Sequence, residues 1–419
     1  MKYFLNIFSN IVKIICGFLF FLIITKYNTV EAVGELGQLL TFSAAMMMIA
    51  TLGIQNKVIQ DVSKNRENID INYIASMALI ALFFLIILLI SGKLFFLNIS
   101  LNYGGMSNLV FYIFVSLTFI LAAVLQFRLA VYNGTENYKR IALINIFGSI
   151  MAVSIAYVFL GIFKQINHQF FLIMLYPCFK ILFIYFPKNR EIITNYFFEN
   201  IRIKQILKTI RSMAPFIVMA TVSVFTIYGY QYSVRNLISS EVNWSLVGQW
   251  QILQKHSEIA SVLFASIAGV FIIPKLARAQ FKQQLVLSRQ YAILLFLGGL
   301  FGLVFVRLFG VIYVEWFFGK EYIFAGSLLF IHLIGDVFKI VSYSFSLIVL
   351  CNSWVKTYIV LEFIQYIILF ISYFLCFAYL SESYMSHTYM LAYLFYMLGV
   401  VSFIVTSKKN IYFSKGQEF

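Results

Sequence analysis

The chain has 419 residues, of which 62% are hydrophobic, 19% aromatic and only 11% charged, with a formal net charge of +15. A mean hydropathy of +0.90 excludes an ordinary soluble domain, so lipid is the main solvent, and the Lys/Arg surplus reads as a positive-inside bias rather than a nucleic-acid surface. A bilayer core of about 30 Å takes roughly 20 apolar residues per helix, so the length holds about a dozen spans with nothing left for a soluble domain.

Apolar runs separated by polar or Gly/Asn-rich breaks predict twelve helices, near 7–25, 36–54, 73–97, 108–132, 141–163, 169–187, 213–233, 244–273, 290–313, 325–351, 358–380 and 388–406. No small-residue cleavage site follows the run from Ile7 to Thr25, so it reads as a retained helix and not a signal peptide. Cys16, Cys178, Cys351 and Cys376 are scattered through apolar runs without C-x-x-C spacing, which fits core packing and neither a disulfide framework nor a zinc site.

The stretch from Lys188 to Arg211 breaks the apolar pattern near the chain midpoint. It carries Lys188, Arg190, Arg202, Lys204, Lys208 and Arg211 against Glu191 and Glu199, and reads as a basic cytoplasmic hinge over 188–212 between a six-helix bundle at 1–187 and a second at 213–419 that ends in a cytoplasmic tail. With an even number of spans, Lys57, Lys64, Arg66, Lys139, Arg140, Lys275, Arg278, Lys282, Arg289 and Lys356 fall on the same side as the hinge and the termini. The opposite loops hold only Lys26, Lys164, Arg235 and Lys320, which places both termini in the cytoplasm. The outer loops are too short to form an extracytoplasmic catalytic domain. A faint internal echo links AVGELGQLL, after Lys26, to LVGQWQILQ, after Arg235, as a parallel repeat would; chance recurrence of VG at a helix start explains it equally well.

Ionisable groups inside spans carry the functional signal, because a charge at a helix centre costs about 2.5 to 3.5 kcal/mol on the lenient insertion scale. The eighth helix holds Lys255, His256 and Glu258; the tenth holds His332, Asp336 and Lys339 at i, i+4 and i+7, hence on one face. Lys13, Lys180 and Glu362 add single charges, and Arg128 lies toward the end of the fourth helix. Arg128, Lys93 and Arg307 are placed to snorkel, and Lys255 with Glu258 or Asp336 with Lys339 could be closed structural pairs. His168 and His387 read as solvated loop residues, Trp244 and Trp316 as interfacial anchors, with Trp250 a weaker third, and Pro177 as a kink in the sixth helix. The interior has more bases than acids, and a wet cleft of that balance draws an anionic head group, leaving Asp336, Glu258, Glu362 and His332 as candidates for ion or proton coupling. No Walker A loop, H-E-x-x-H, G-x-S-x-G or dinucleotide fingerprint appears, so neither an enzyme nor a nucleotide-driven pump is indicated.

RNLISSEVNWSLVGQWQ, through Arg235, Trp244, Val247, Gly248, Trp250 and Gln251, is similar to an arginine followed by W-x-x-VG-x-WQ in the Wzx-type flippases. Ser257-Glu258 stands where that family has Ser-Asp; Gly335, Asp336, Val337 and Lys339 match its GDVxK element, and Glu362 and Gln365 an E-x-x-Q. NIVKIICG around Lys13 and LGIQNKVIQDVS around Asn56 are similar to its first-half helices. The chain thus resembles the O-antigen translocases and lipid III flippases of the MOP superfamily, which also holds the MATE exporters. The resemblance implies an all-α, MATE-like integral membrane fold of twelve helices in two six-helix bundles. It implies a bacterial inner-membrane flippase for an undecaprenyl-diphosphate-linked oligosaccharide, working by alternating access without a cofactor, with membrane lipid, a polysaccharide polymerase and a chain-length regulator as partners. Lys13, Lys180, Lys255, Lys339, Arg128, Gln251 and Trp250 are the substrate-binding candidates; Lys255, His256 and Arg128 have no counterpart in the family and rest on charge alone. A MATE-like small-molecule exporter and a non-transporting scaffold of a polysaccharide assembly complex are the competing expectations.

Overall fold

The computed structural model describes residues 2–50, 58–59, 62, 74–86, 108–162, 172–173, 175–184, 202–268, 272–352 and 354–406. Every regular element among them is helical. Helices α1 (Lys2–Lys26), α2 (Val30–Ile49), the short α3 (Ile74–Ile86), α4 (Asn108–Gly134) and α5 (Tyr138–Tyr157) come first, α5 running into a π-helical turn at Val158–Ile162. A 3-10 helix at Tyr176–Phe183 follows. Then come α6 (Ile203–Glu241), α7 (Trp244–Ile267), the short α8 (Ile273–Arg278), α9 (Phe281–Phe318), α10 (Ile323–Cys351), α11 (Val355–Tyr379) and α12 (Met385–Thr406).

Nine helices among the described residues are long and apolar enough to cross a bilayer, which makes this a multi-pass, all-α membrane protein of the inner-membrane type. They coincide with nine of the twelve predicted spans. The third predicted span is represented by α3, the rest of it lying outside the described residues; the sixth contains the 3-10 helix. The eighth is α7, a regular 24-residue helix whose run from Gln249 to Glu258 is too polar for lipid. Also outside the described residues are Lys188, Arg190, Glu191 and Glu199 of the hinge, Asn56, Lys57, Lys64, Arg66, Lys93, Lys164, His168, Lys408, Lys409 and Lys415.

The described end of the basic stretch is helical. Arg202 to Arg211 leads into and forms the first turns of α6, whose 39 residues span about 58 Å, well beyond a bilayer core. Arg202, Lys204, Lys208 and Arg211 are exposed there, as suits bases at a helix end. The loop breaks read from sequence act as caps: Asn137 accepts the Arg140 N–H at 3.3 Å at the start of α5, and Asn243 accepts the Leu246 N–H at 2.8 Å at the start of α7.

The chain divides into two compact units, one of residues 1–27 and 36–228, the other of residues 28–35 and 229–419. In the first, α1 packs along α5, which packs on the 3-10 helix, around Phe20, Ile24, Leu39, Phe119 and Ala156. In the second, α10 is central, with α9, α12 and α7 against it. The outward face of α9 is apolar, with Phe301 82% and Trp316 80% exposed, as a helix solvated by lipid requires.

The two VG segments of the internal echo meet. A Cβ on Gly34 would lie 2.6 Å from the Trp244 carbonyl oxygen and 2.9 Å from the Gly248 nitrogen, and one on Gly248 would strike the Val30 carbonyl oxygen. Two helix starts cross so closely here that only glycine fits on either side.

Candidate functional site

The site in the second unit is built on α10. His332, Asp336 and Lys339 share a face, as their spacing predicts, and His332 and Asp336 are buried. Gly335 lets α12 come close: a Cβ there would stand 2.6 Å from the Tyr389 ring and 3.0 Å from the Met390 Cα. Tyr389 is thereby laid parallel on His332, with ring centroids 3.9 Å apart, and its hydroxyl donates to Asp336 Oδ1 at 2.9 Å. From α7, Ser257 Oγ donates to Asp336 Oδ2 at 2.7 Å and stands 3.0 Å from His332 Nε2 and 3.3 Å from the Tyr389 hydroxyl. Both carboxylate oxygens therefore have donors.

One turn further along α10, the Lys339 ammonium faces the Tyr393 and Tyr343 rings, 5.6 and 6.0 Å from their centroids. Gln365 of α11 donates to both tyrosine hydroxyls, at 3.1 and 3.2 Å, and so fixes the rings that frame the cation. Lys339 is half-buried and has no carboxylate within ion-pair distance among the described residues. Ring contacts are worth about 0.5 to 2 kcal/mol, far less than hydration supplies, so the ammonium is left open to an anion.

Elsewhere on α7, Lys255 and Glu258 close an ion pair of 3.0 Å, the structural alternative raised by the sequence. His256 Nδ1 donates to the Ile252 carbonyl at 2.7 Å and Nε2 lies 3.2 Å from the Tyr313 hydroxyl, so both ring nitrogens are engaged. Arg235 is not a loop residue as expected. It lies fully buried inside α6, bonded to Gln251 Oε1 at 2.5 Å and stacked 5.2 Å from the Trp250 ring. Trp250 is correspondingly no interfacial anchor: it is fully buried, and its indole N–H donates to the Tyr373 hydroxyl at 3.2 Å.

The first unit carries a second group of bases. Lys180, on the 3-10 helix, is buried because Gly148 of α5 leaves room for its backbone and stem; a Cβ on Gly148 would come within 2.7 Å of the Lys180 Cα. Tyr176, one turn earlier, packs on Phe20 of α1 with centroids 4.2 Å apart. This brings Lys180 within electrostatic reach of Cys16 and of Lys13, which stands midway along α1 with an accessible side chain. Among the described residues neither lysine has an ion-pair partner.

Residues 2–280 match the model of the family described as polysaccharide biosynthesis protein. The chain belongs to that polysaccharide biosynthesis protein family. No curated protein matches the sequence. Among solved structures, the fold is similar to an inward-facing MATE-family multidrug resistance transporter of the MOP superfamily, with a TM-score of 0.70 at 13% identity over 98% of this chain and 99% of that one. A mutant of the Vibrio cholerae MATE transporter VcmN gives 0.66 at 11% identity over 98% and 96%. A MOP-superfamily transporter from Pyrococcus furiosus, described as having a binding pocket of reverse polarity, gives 0.57 at 12% over 97% and 95%. The MATE-like fold expected from the sequence motifs is borne out, and the family shown is the polysaccharide biosynthesis one, consistent with the Wzx-type resemblance.

In this polysaccharide biosynthesis protein the structure gathers His332, Asp336 and Lys339 in one place and Lys13 with Lys180 in another. Lys255 and Glu258 go to each other, and Gln251 and Trp250 to a buried clasp on Arg235 and Tyr373. Glu362 is half-buried on α11, within electrostatic reach of Tyr343, and Arg128 is half-buried near the end of α4. His387 is not a solvated loop residue: it is half-buried in the first turn of α12, its ring 5.6 Å from that of Tyr384. Among the described residues no group of three or more His, Cys, Asp and Glu side chains could hold a metal. Sequence reasoning missed Tyr389, Tyr393 and Tyr343 as partners of the α10 face. The available signal was the i, i+4 spacing of Tyr389 and Tyr393 in the only span that opens S-H-T-Y.

Proposed function

We propose that the protein is a flippase that carries an undecaprenyl-diphosphate-linked oligosaccharide, an O-antigen- or enterobacterial-common-antigen-like repeat unit, from the cytoplasmic to the periplasmic leaflet of the bacterial inner membrane. It acts as a transporter rather than an enzyme, by alternating access, in a membrane-embedded fold of the MATE type. The observation that carries this reading is that Lys180, buried, lies within electrostatic reach of Lys13, and that neither has a carboxylate partner among the described residues, in a chain of the polysaccharide biosynthesis family. A buried lysine with a second lysine in electrostatic reach is costly to keep charged unless an anion visits it, and a diphosphate is a dianion that accepts several charge-assisted hydrogen bonds at once. Lys339 offers a third base on the other unit, and Arg128 a peripheral one.

In this scheme Asp336, with His332 beside it, is the coupling group. Glu258 and Glu362 are secondary, Glu258 because Lys255 already neutralises it. Gln251 and Trp250 act through the helices they clasp, since both are buried and bonded within the unit. The full plan is twelve helices in bundles 1–187 and 213–419 rocking about a basic hinge at 188–212, both termini cytoplasmic, with a polymerase and a chain-length regulator downstream. A cation exporter would need acids in excess where these bases stand. The reading is tested by deleting the protein from its host: lipid-linked repeat units should accumulate on the inner leaflet. Normal surface polysaccharide together with new drug sensitivity would instead identify an exporter.

A further inference from the structure

The hydrogen bonds around Ser257 have a direction that can be worked out atom by atom. Ser257 has one hydroxyl hydrogen, and it is given to Asp336 Oδ2; Tyr389 gives its own to Oδ1. Toward His332 the Ser257 oxygen can then only accept, so the 3.0 Å contact is His332 Nε2–H donating to Ser257 Oγ. That tautomer leaves Nδ1 as a bare lone pair. Nδ1 is buried and has no hydrogen-bond partner among the described residues, although the ring is 0% exposed and held by its stack on Tyr389. A buried acceptor left open at one end of an ordered chain that ends on a carboxylate is an unfilled proton position.

We propose that His332, Ser257 and Asp336 form a proton relay in which one proton enters at His332 Nδ1 and one settles on Asp336 Oδ2, with Ser257 as the pivot. As Nδ1 gains a proton, Nε2 gives its proton to Ser257 Oγ, and Ser257 passes its original hydrogen to Asp336 Oδ2. The histidine ends neutral with its hydrogen on Nδ1, the serine hydroxyl now donates to Nε2, and the carboxyl donates to the serine oxygen. One proton has been added, every bond in the chain has reversed, and no group is left charged. Tyr389 continues to hold Oδ1, so the carboxyl keeps its place.

The groups that face this chain do not supply a competing route. On α7, His256 is committed through both ring nitrogens and Glu258 is paired to Lys255; Tyr313 of α9 is the hydroxyl bonded to His256. On α6 and α11, Tyr230 and Tyr373 lie within electrostatic reach of Asp336, as do Tyr393 on α12 and Tyr343 on α10. On α10 itself, Lys339 is the charge that matters, because it and Asp336 act on one another directly. Neutralising Asp336 removes the counter-charge three residues from Lys339. If the diphosphate reading above is correct, proton uptake and anion binding then strengthen each other by the same factor.

The test is infrared difference spectroscopy on the full-length protein across a pH titration, with isotope-labelled histidine to read the ring tautomer. The carbonyl band of a protonated carboxylic acid, identified by its loss in Asp336→Asn, should rise with the same midpoint as a change from the Nε2–H to the Nδ1–H ring, identified by its loss in His332→Gln. Ser257→Thr should keep the two changes joined and Ser257→Ala should separate them. An Asp336 band that rises in the native protein while His332 is unchanged, or no such band at any pH, overturns the relay without reference to any variant. In parallel, affinity for farnesyl diphosphate should tighten about tenfold as the band appears and become independent of pH in Asp336→Asn. Joined spectra with flat affinity would keep the relay and remove the diphosphate reading; pH-dependent affinity with an unchanged His332 would do the reverse.

Discussion

Trp250 has one N–H and one acceptor for it, the Tyr373 hydroxyl, in a pocket closed to solvent. Trp250→Phe keeps the ring on Arg235 but leaves that hydroxyl without its donor. The expected cost is about 0.6 to 2 kcal/mol, the range for an interhelical hydrogen bond in a membrane protein, read as an earlier midpoint on titration with a denaturing detergent; a midpoint equal to the native one would mean that the clasp holds nothing. At this scale the sequence announces which residues are costly but not which neighbours satisfy them. His332, Asp336 and Lys339 were legible because their spacing forces one face and their charges do not belong in lipid. Lys180 was legible as a charge, whereas Gly148, which makes room for it, looks like any glycine in an apolar run. With 27 tyrosines in the chain, the choice of Tyr389, Tyr343 and Tyr393 as partners is made by helix packing alone.

Helices followed the apolar runs closely wherever a run faces lipid, since composition then reports the solvent directly. They departed from it where a helix turns polar groups inward. α7 falls short of a lipid-facing composition because Gln249, Gln251, Gln254 and Ser257 are buried in protein, and α6 starts ten residues before the predicted span because its basic first turns need not be apolar. The π-helical turn after α5 and the 3-10 helix carrying Lys180 leave no periodic trace. The Gly34–Gly248 crossing was visible only as a repeated dipeptide. Gly248→Ala should drive a methyl group into the Val30 carbonyl and cost about 1 to 3 kcal/mol, seen as lower yield of folded protein and an earlier unfolding midpoint. An unperturbed Gly248→Ala protein would show that α2 and α7 are not so close.

For the whole molecule, the charge asymmetry of the connecting segments makes an orientation claim. Reporter tags at the N- and C-termini should both be reachable only from the cytoplasmic side, and a tag reached from the periplasm would reverse the reading of every loop. The fold is similar to that of MATE transporters, and the flippase reading proposed above assigns the bases in each unit to the cargo. The most direct measurement is leaflet-to-leaflet transfer of a labelled undecaprenyl-diphosphate-linked sugar in proteoliposomes, comparing the native protein with Lys13→Ala, Lys180→Ala and Lys339→Ala. Removing a charge-assisted contact to the diphosphate worth about 1.5 to 3 kcal/mol should slow transfer roughly 10- to 100-fold in each. Native rates in all three variants would contradict the claim that these lysines carry the diphosphate.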